Sequence, residues 1–254
     1  MSEDFLTLNY NTIIDEITRF ITEQVRSRKK NGVVMGLSGG LDSSVCLVLV
    51  SRSIQRNRIL GLIMPESGLT PKKDVDNARH LAKQMKIKYK EIHFESAKKI
   101  LLNNLPKDKL SAGNLSARLR MAFLYHYAAI SNLLVLGTSD KSELLIGYFT
   151  KFGDGAADIL PLGGLYKSQV KLLGEQLGLS EQIVNQPSSP RFWRGHVAEK
   201  EIGLSYHEID TILQCYLKND LNNCKQSKIK IKLVTDMIKK SQHKREQIPI
   251  FSPP

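Results

Sequence analysis

The sequence predicts an α/β fold in which a mostly parallel sheet carries helices on both faces. Three observations predict it. Short apolar runs alternate along the chain with longer stretches of helical periodicity. The runs are apolar throughout instead of alternating, as strands buried on both faces require. Two glycine-bearing loops follow such runs directly, after Leu37 and after Leu136, where the strands of an open α/β sheet present their carboxyl ends to ligands.

Ile13, Ile14, Ile17, Phe20, Ile21 and Val25 recur at helical spacing with Asp15, Glu16, Arg19 and Glu23 opposite, which predicts an amphipathic helix over 11–29. The run Val33-Val34-Met35-Gly36-Leu37 reads as a buried strand and ends in Ser38-Gly39-Gly40-Leu41-Asp42-Ser43-Ser44, after which a helix is expected from Val45 to about Ser53. A second strand is expected over Ile59–Met64. A helix over 72–86 turns Val75, Ala78, Leu81, Ala82 and Met85 inward, and a third strand covers Tyr89–Phe94. Residues 116–130 read as helix and Leu133–Leu136 as a short strand closed by Gly137-Thr138. The polar stretches 104–116 and 185–203 carry Pro or Gly and read as loops, too slight to mark a boundary. One domain over 1–254 is expected, with a helical C-terminal extension at about 205–247.

The 254 residues suffice for one large α/β domain or two small ones, and 41% hydrophobic residues predict an ordinary globular core. No stretch resembles a membrane span. Met1-Ser2-Glu3-Asp4 is acidic and lacks the basic start of a secretory signal. Cys46, Cys215 and Cys224 fit no zinc spacing and leave one thiol over in any disulfide scheme, so a reduced, cytoplasmic protein is expected. Cys46 reads as a buried helix thiol. The 37 Lys and Arg exceed the 25 Asp and Glu, a formal +12. That balance suits an anionic partner: nucleic acid, anionic lipid or a phosphorylated small molecule. Part of the excess, Lys228, Lys230 and Lys232, reads as a solvated face.

The loop after the first strand suits a phosphate. Its glycines let the backbone approach an anion, the next helix presents free N–H groups and its positive dipole end, and Ser38, Ser43 and Ser44 add hydroxyls. The lysine of the common nucleotide-triphosphate loop is missing. A plain tight turn, with Asp42 or Ser43 capping the helix, would explain the same residues.

The wording of Ser38-Gly39-Gly40-Leu41-Asp42-Ser43 resembles the pyrophosphate loop, SGGxDS, of the ATP pyrophosphatases, which split ATP between its α and β phosphates and pass the adenylate to an oxygen. A second block narrows the group: Gly137-Thr138-Ser139-Asp140-Lys141-Ser142-Glu143, then Gly147-Tyr148-Phe149-Thr150-Lys151-Phe152-Gly153-Asp154-Gly155, Asp158 and Leu165-Tyr166-Lys167. It resembles the signature of the ammonia-dependent NAD synthetases. Gly113-Asn114-Leu115-Ser116-Ala117-Arg118-Leu119-Arg120-Met121 and His243-Lys244-Arg245 match in order, so the likeness covers nearly the whole chain.

The resemblance implies a Rossmann-like sheet of the adenine nucleotide alpha hydrolase-like kind, and amidation of deamido-NAD to NAD with ATP and ammonia. It implies that Gly36, Leu37, Ser38, Gly39, Gly40, Leu41, Asp42 and Ser43 cradle ATP together with Thr138, Lys167 and Ser189. Asp42 and Glu143 would hold Mg2+. Arg118, Lys151, Asp158, His243 and Lys244 would contact deamido-NAD. Asp42, Glu143 and Asp158 are the catalytic candidates, with Asp158 or Asp154 accepting the proton of ammonium. Arg120, two residues from Arg118, points elsewhere on a helix and reads as structural. Tyr148, Phe149 and Phe152 read as core, and Trp193 as a cover over the site.

Pro187-Ser188-Ser189-Pro190-Arg191-Phe192-Trp193-Arg194-Gly195-His196 departs from the commoner family wording, with His196 in place of Gln and only Glu199 left of an acidic pair. The sheet begins within about 35 residues of Met1, which leaves no room for a glutaminase domain; free ammonia, or a separate glutaminase subunit, is the expected donor. The family implies a homodimer, to which the 11–29 helix could contribute, and no membrane or nucleic-acid partner. Another ATP pyrophosphatase, such as a tRNA-modifying enzyme, would suit the charge but would not need the Thr-Lys-Phe-Gly-Asp-Gly block.

Overall fold

The computed structural model describes residues 5–253. Met1–Asp4, whose composition was read against a secretory signal, lie outside the described residues, as does Pro254. Helix α1 (Tyr10–Ser27) precedes β1 (Gly32–Gly36), α2 (Leu41–Ser53), β2 (Ile59–Ile63), α3 (Lys72–Gln84) and β3 (Lys88–Glu91). Helices α4 (Glu95–Leu102) and α5 (Lys109–Ser131) lead to β4 (Leu133–Leu136) and α6 (Lys141–Ile146). The rest is helical: α7 (Lys167–Gln176), α8 (Glu181–Val184), α9 (Ala198–Ile202), α10 (Tyr206–Leu217) and α11 (Lys228–Lys240).

The four strands run parallel in the order β3-β2-β1-β4. Alternate residues of each strand serve opposite cores. Val33 and Met35 of β1 and Leu134 and Leu136 of β4 pack with α1, α2, α3 and α7, while Val34, Leu133 and Val135 pack with Met121, Leu124 and Ala128 of α5. β1 and β4 are neighbours whose following connections leave toward different sides, and the crevice at their carboxyl ends is where such sheets take ligands. A third apolar cluster joins α6 to the C-terminal helices through Ile146, Tyr166, Ile209, Leu213, Val234 and Ile238. Among the described residues no helix is long and apolar enough to cross a membrane.

Several expectations need correction. The 104–116 stretch is not all loop, because Asp108 caps α5 by accepting Ser111 N–H at 2.7 Å and the helix runs from Lys109. Within 185–203, Ala198–Ile202 forms α9, whose Ala198 and Ile202 are buried. The third strand stops at Glu91, since Phe94 turns inward at the start of α4, an unforeseen helix, and is 1% exposed. Phe152 is not core; it sits at φ 62 with 61% exposure. Cys46 is buried as expected, and burial pushes its thiol up.

Candidate active site

A cleft of about 300 Å³ opens at the carboxyl ends of β1 and β4. Its first wall is the loop before α2. Gly39 has φ +76, and a Cβ there would lie 1.9 Å from the Asp74 carbonyl oxygen, so only glycine lets this loop cross the start of α3. Ser38 Oγ lies 2.9 Å from Ser43 Oγ and accepts Gly40 N–H at 3.2 Å, while Ser44 Oγ donates to the Gly40 carbonyl at 2.8 Å. These bonds hold the loop so that the 13-residue helix α2 opens toward the cleft with its positive end.

The loop residues are not equivalent. Gly36, Ser38, Gly40 and Ser43 line the cleft. Leu37 donates its N–H to Leu62 O at 2.8 Å, and its side chain fills the space that Gly61 leaves. It therefore shapes the wall and has no amide left for an anion. Leu41 is buried against Gly174.

Behind Asp42 and Glu143, which line the cleft, lies Lys167, the first residue of α7, which does not itself line it. Its Nζ lies 2.9 Å from Asp42 Oδ2, 2.7 Å from Asp140 Oδ2 and 2.8 Å from Glu143 Oε1. Asp140 also caps α6 by accepting Glu143 N–H at 2.9 Å. Sequence reasoning assigned Asp140 no role, although an acid three residues before a glutamate is the spacing of a helix N-cap. Lys141, two residues before Glu143, turns away from it, with its Nζ 4.4 Å over the Tyr166 ring.

Burial pushes the Glu143 carboxyl up to about 8 and the Asp140 carboxyl up to about 6, against the pull of Lys167 and with that of neighbouring carboxylates. Burial opposes the charge on Lys167, but Asp140, Asp42 and Glu143 outweigh it and hold the ammonium well above its usual range. Three carboxylates around one ammonium leave negative charge uncompensated, and Asp42 Oδ1 is buried with no hydrogen-bond partner. Such an oxygen fits a hard cation that keeps water and phosphate as its other ligands.

This arrangement has a testable consequence. A carboxyl whose folded pKa exceeds its unfolded value binds more protons in the native state between the two values, so stability falls as pH rises through that window. For Glu143 the window runs from its ordinary 4.5 to about 8. In chelator-treated protein the melting temperature is expected to gain more from added magnesium at pH 8 than at pH 6. An equal gain at both would remove the cluster as its cause.

Thr138 lines the cleft just after β4, and Ser189 lines it from the loop before α9, where Ser189 Oγ accepts Arg191 N–H at 3.1 Å. Two further residues, given no role from sequence, complete this wall. Arg191 pairs with buried Asp74 at 2.8 Å, and Arg120 lines the cleft and donates to Met64 O at 3.0 Å. Arg120 thus reaches the cavity that its structural reading had denied it.

Arg118, Lys151, His243 and Lys244 gather in a second, adjacent group. Arg118 Nε donates to Lys151 O at 3.3 Å, Lys151 Nζ to His243 O at 2.6 Å, and Lys244 Nζ to Gly147 O and Phe149 O at 2.8 Å each. Asp158 lies elsewhere: its Oδ2 accepts Val135 N–H at 2.7 Å and it does not line the cleft. Asp154 does line it, accepts Thr150 N–H at 2.9 Å, and is pushed up by burial. Tyr148 also lines the cleft and donates to Glu201 Oε2, which His196 Nε2 meets at 2.7 Å. Trp193 stacks on His196 at 3.5 Å, with Lys109 Nζ 4.6 Å over its ring.

The sequence profile of NAD synthase matches residues 13–248. The chain belongs to the NAD synthase family. An NH(3)-dependent NAD(+) synthetase from Hyperthermus butylicus is 43% identical over 98% of this chain and 94% of its own. The NMN synthetase of Francisella tularensis superposes with a TM-score of 0.87 at 32% identity, covering 97% of this chain and 99% of that one. The NH3-dependent NAD synthetase of Campylobacter jejuni superposes at 0.84 with 30% identity, covering 97% and 100%. These likenesses span the NAD synthase chain from α1 through the last helices, so both walls of the cleft belong to the shared fold.

Proposed function

We infer that this member of the NAD synthase family amidates deamido-NAD to NAD with ATP and ammonia, forming AMP and pyrophosphate. One observation carries the reading: the start of α2 and a buried lysine–carboxylate cluster, joined through Asp42, meet at one cleft, with a cationic group beside it. The rival tRNA-modifying activity would leave the geometry of Thr150, Asp154 and Lys244 without a task, since these residues order the cationic group rather than a long basic surface.

The chain's own residues account for the chemistry. The α2 start and Lys167 would hold the triphosphate, while Arg118, Lys151, His243 and Lys244 would hold the dinucleotide phosphates. A carboxylate oxygen of the bound nicotinate then reaches the α-phosphorus; the bond to the β-phosphate bridge breaks, pyrophosphate leaves and an acyl adenylate forms. Ammonia adds to the activated carbonyl carbon, its proton passes to a carboxylate, and AMP leaves with the C–O bond electrons. Alignment and charge compensation supply the rate, and no side-chain nucleophile is required. Magnesium, when bound, would join the triphosphate to Asp42 and Glu143 and offset phosphate charge. A homodimer is proposed on the family resemblance alone.

Mixing the protein with magnesium, ATP, ammonium and deamido-NAD should yield NAD and AMP by mass. Replacing deamido-NAD with nicotinate mononucleotide, the acid counterpart of the NMN in the Francisella neighbour's name, tests the dinucleotide requirement, and replacing ammonium with glutamine tests the nitrogen donor. Turnover with glutamine alone would refute direct use of ammonia.

Asp154 is the better proton acceptor, because it lines the cleft and Asp158 does not. Asp154→Asn is expected to lower kcat by about 10²-fold or more, in the range of a lost general base. Asp158→Asn should move KM more than kcat. Steady-state kinetics on both variants decide it; a larger kcat loss for Asp158→Asn would reverse the assignment.

A further inference from the structure

A second cavity, of about 580 Å³, lies between α2, α3 and the α7–α8 turn. It stands apart from the cleft: Arg52 follows Asp42 by ten residues of helix, roughly 15 Å along α2. Its volume falls within the usual range of small-molecule sites, about 300–1,000 Å³, and far exceeds the roughly 30 Å³ of one water.

The sequence builds this cavity from two helical stripes. Val48, Ser51 and Arg52 recur at three- and four-residue spacing on α2, and Asn77, His80, Leu81 and Gln84 do so on α3. Each stripe is therefore one continuous face, and the two faces look into the same space. Apolar side chains, Leu81, Leu177, Leu179 and Ile183 among them, form its floor.

The polar groups around this floor have one sign. Arg52, Arg56 and His80 line the cavity and no acidic residue does. Among the described residues neither arginine side chain forms an ion pair. Inside, Ser51 Oγ and Asn77 Nδ2 are buried without a hydrogen-bond partner. The other orphaned side-chain atoms, on Asp42, Asp140, Gln186 and His196, all belong to the catalytic cleft or the loop beside it, where substrates and cation answer for them. Among the described residues only this cavity holds such atoms with no ligand yet assigned, and an unmet buried donor is costly.

We propose that this cavity is a second ligand site, for a phosphomonoester carried on an apolar or planar body of about nucleoside-monophosphate size. The two guanidiniums suit a phosphate dianion through paired N–H donors. Ser51 and Asn77 supply the remaining hydrogen bonds, and the leucine and isoleucine floor takes the body.

The test is calorimetric titration of the full chain with AMP while α,β-methylene-ATP and magnesium occupy the cleft. One further AMP should bind to the wild type, and adenosine should not. Arg52→Ala with Arg56→Ala, both exposed and outside the catalytic machinery, should weaken that binding at least tenfold while leaving turnover unchanged. Asn77→Leu should weaken it independently. Absence of AMP binding to the filled wild type, or binding indifferent to the arginine pair, would overturn the site. Inorganic phosphate binding as tightly as AMP would overturn the assignment of the apolar floor. Failure of NAD synthesis would leave each of these readouts intact.

Discussion

Replacing Lys167 with methionine is expected to lower turnover by about 10³-fold and to destabilise the fold by about 3–5 kcal/mol, the penalty for breaking a buried ion pair by removing one partner. The side chain is only 6% exposed and is the sole cation within 3 Å of Asp42, Asp140 and Glu143 among the described residues. Methionine keeps the apolar stem and deletes the charge. The stranded carboxylates then retain protons, so the deficit should shrink at low pH, where the unfolded chain is protonated too, and widen as pH rises toward 8. Urea unfolding at pH 6 and pH 8 measures this. A midpoint equal to the wild type at pH 8 would show that the lysine does not neutralise the cluster. Catalysis is expected to suffer separately, because the same ammonium holds Asp42 and Glu143, the two carboxylates proposed to carry magnesium, in place.

Gly39→Ala should be nearly as severe, for a steric reason. The residue sits at φ +76, which costs a residue with Cβ about 1–2 kcal/mol, and the new methyl would lie 1.9 Å from a backbone oxygen. The loop or the start of α3 must then shift, and a displacement near 1 Å at the phosphate site costs about 10² in rate. Two other glycines separate the causes. Gly68 has the same φ of +76 with nothing within 4 Å, so Gly68→Ala carries the dihedral cost alone. Gly40 has φ −88, and a Cβ there meets only Ser38 Oγ at 3.5 Å. The expected order of thermal loss is Gly39, then Gly68, then Gly40. Equal losses at Gly39 and Gly68 would dismiss the close approach.

The strands and the phosphate loop were legible in the sequence because their signals are local: continuous apolar runs, and glycines immediately before a helix. What escaped was decided by distant partners. Gly113 and Asn114 argue against helix in isolation, yet α5 runs through both. The Phe192 ring occupies the space a Cβ at Gly113 would need, at 2.3 Å, so tertiary packing overrides propensity there. Phe94 reads as the end of a strand by its apolar neighbours, but it turns into the core beneath α5. The cationic group of Arg118, Lys151, His243 and Lys244 was legible only through family wording, since no spacing reveals that His243 and Lys151 meet across 92 residues. Arg120 and Asp140 were in plain view within quoted motifs. Their roles follow from Glu66 and Lys167, which the chain brings alongside them only on folding.

Asp74 ties the glycine turn to the loop before α9. Its carbonyl abuts the glycine turn, and its carboxylate grips Arg191 and accepts from Gln186 at 3.1 Å, all while 2% exposed. One residue thus clasps the floor and the roof of the nucleotide entrance. The roof cannot lift alone, because doing so would strand a desolvated anion. Any opening of this side of the cleft is therefore expected to rehydrate Asp74, and hydrogen exchange at the amides of the first turn of α3 would register it.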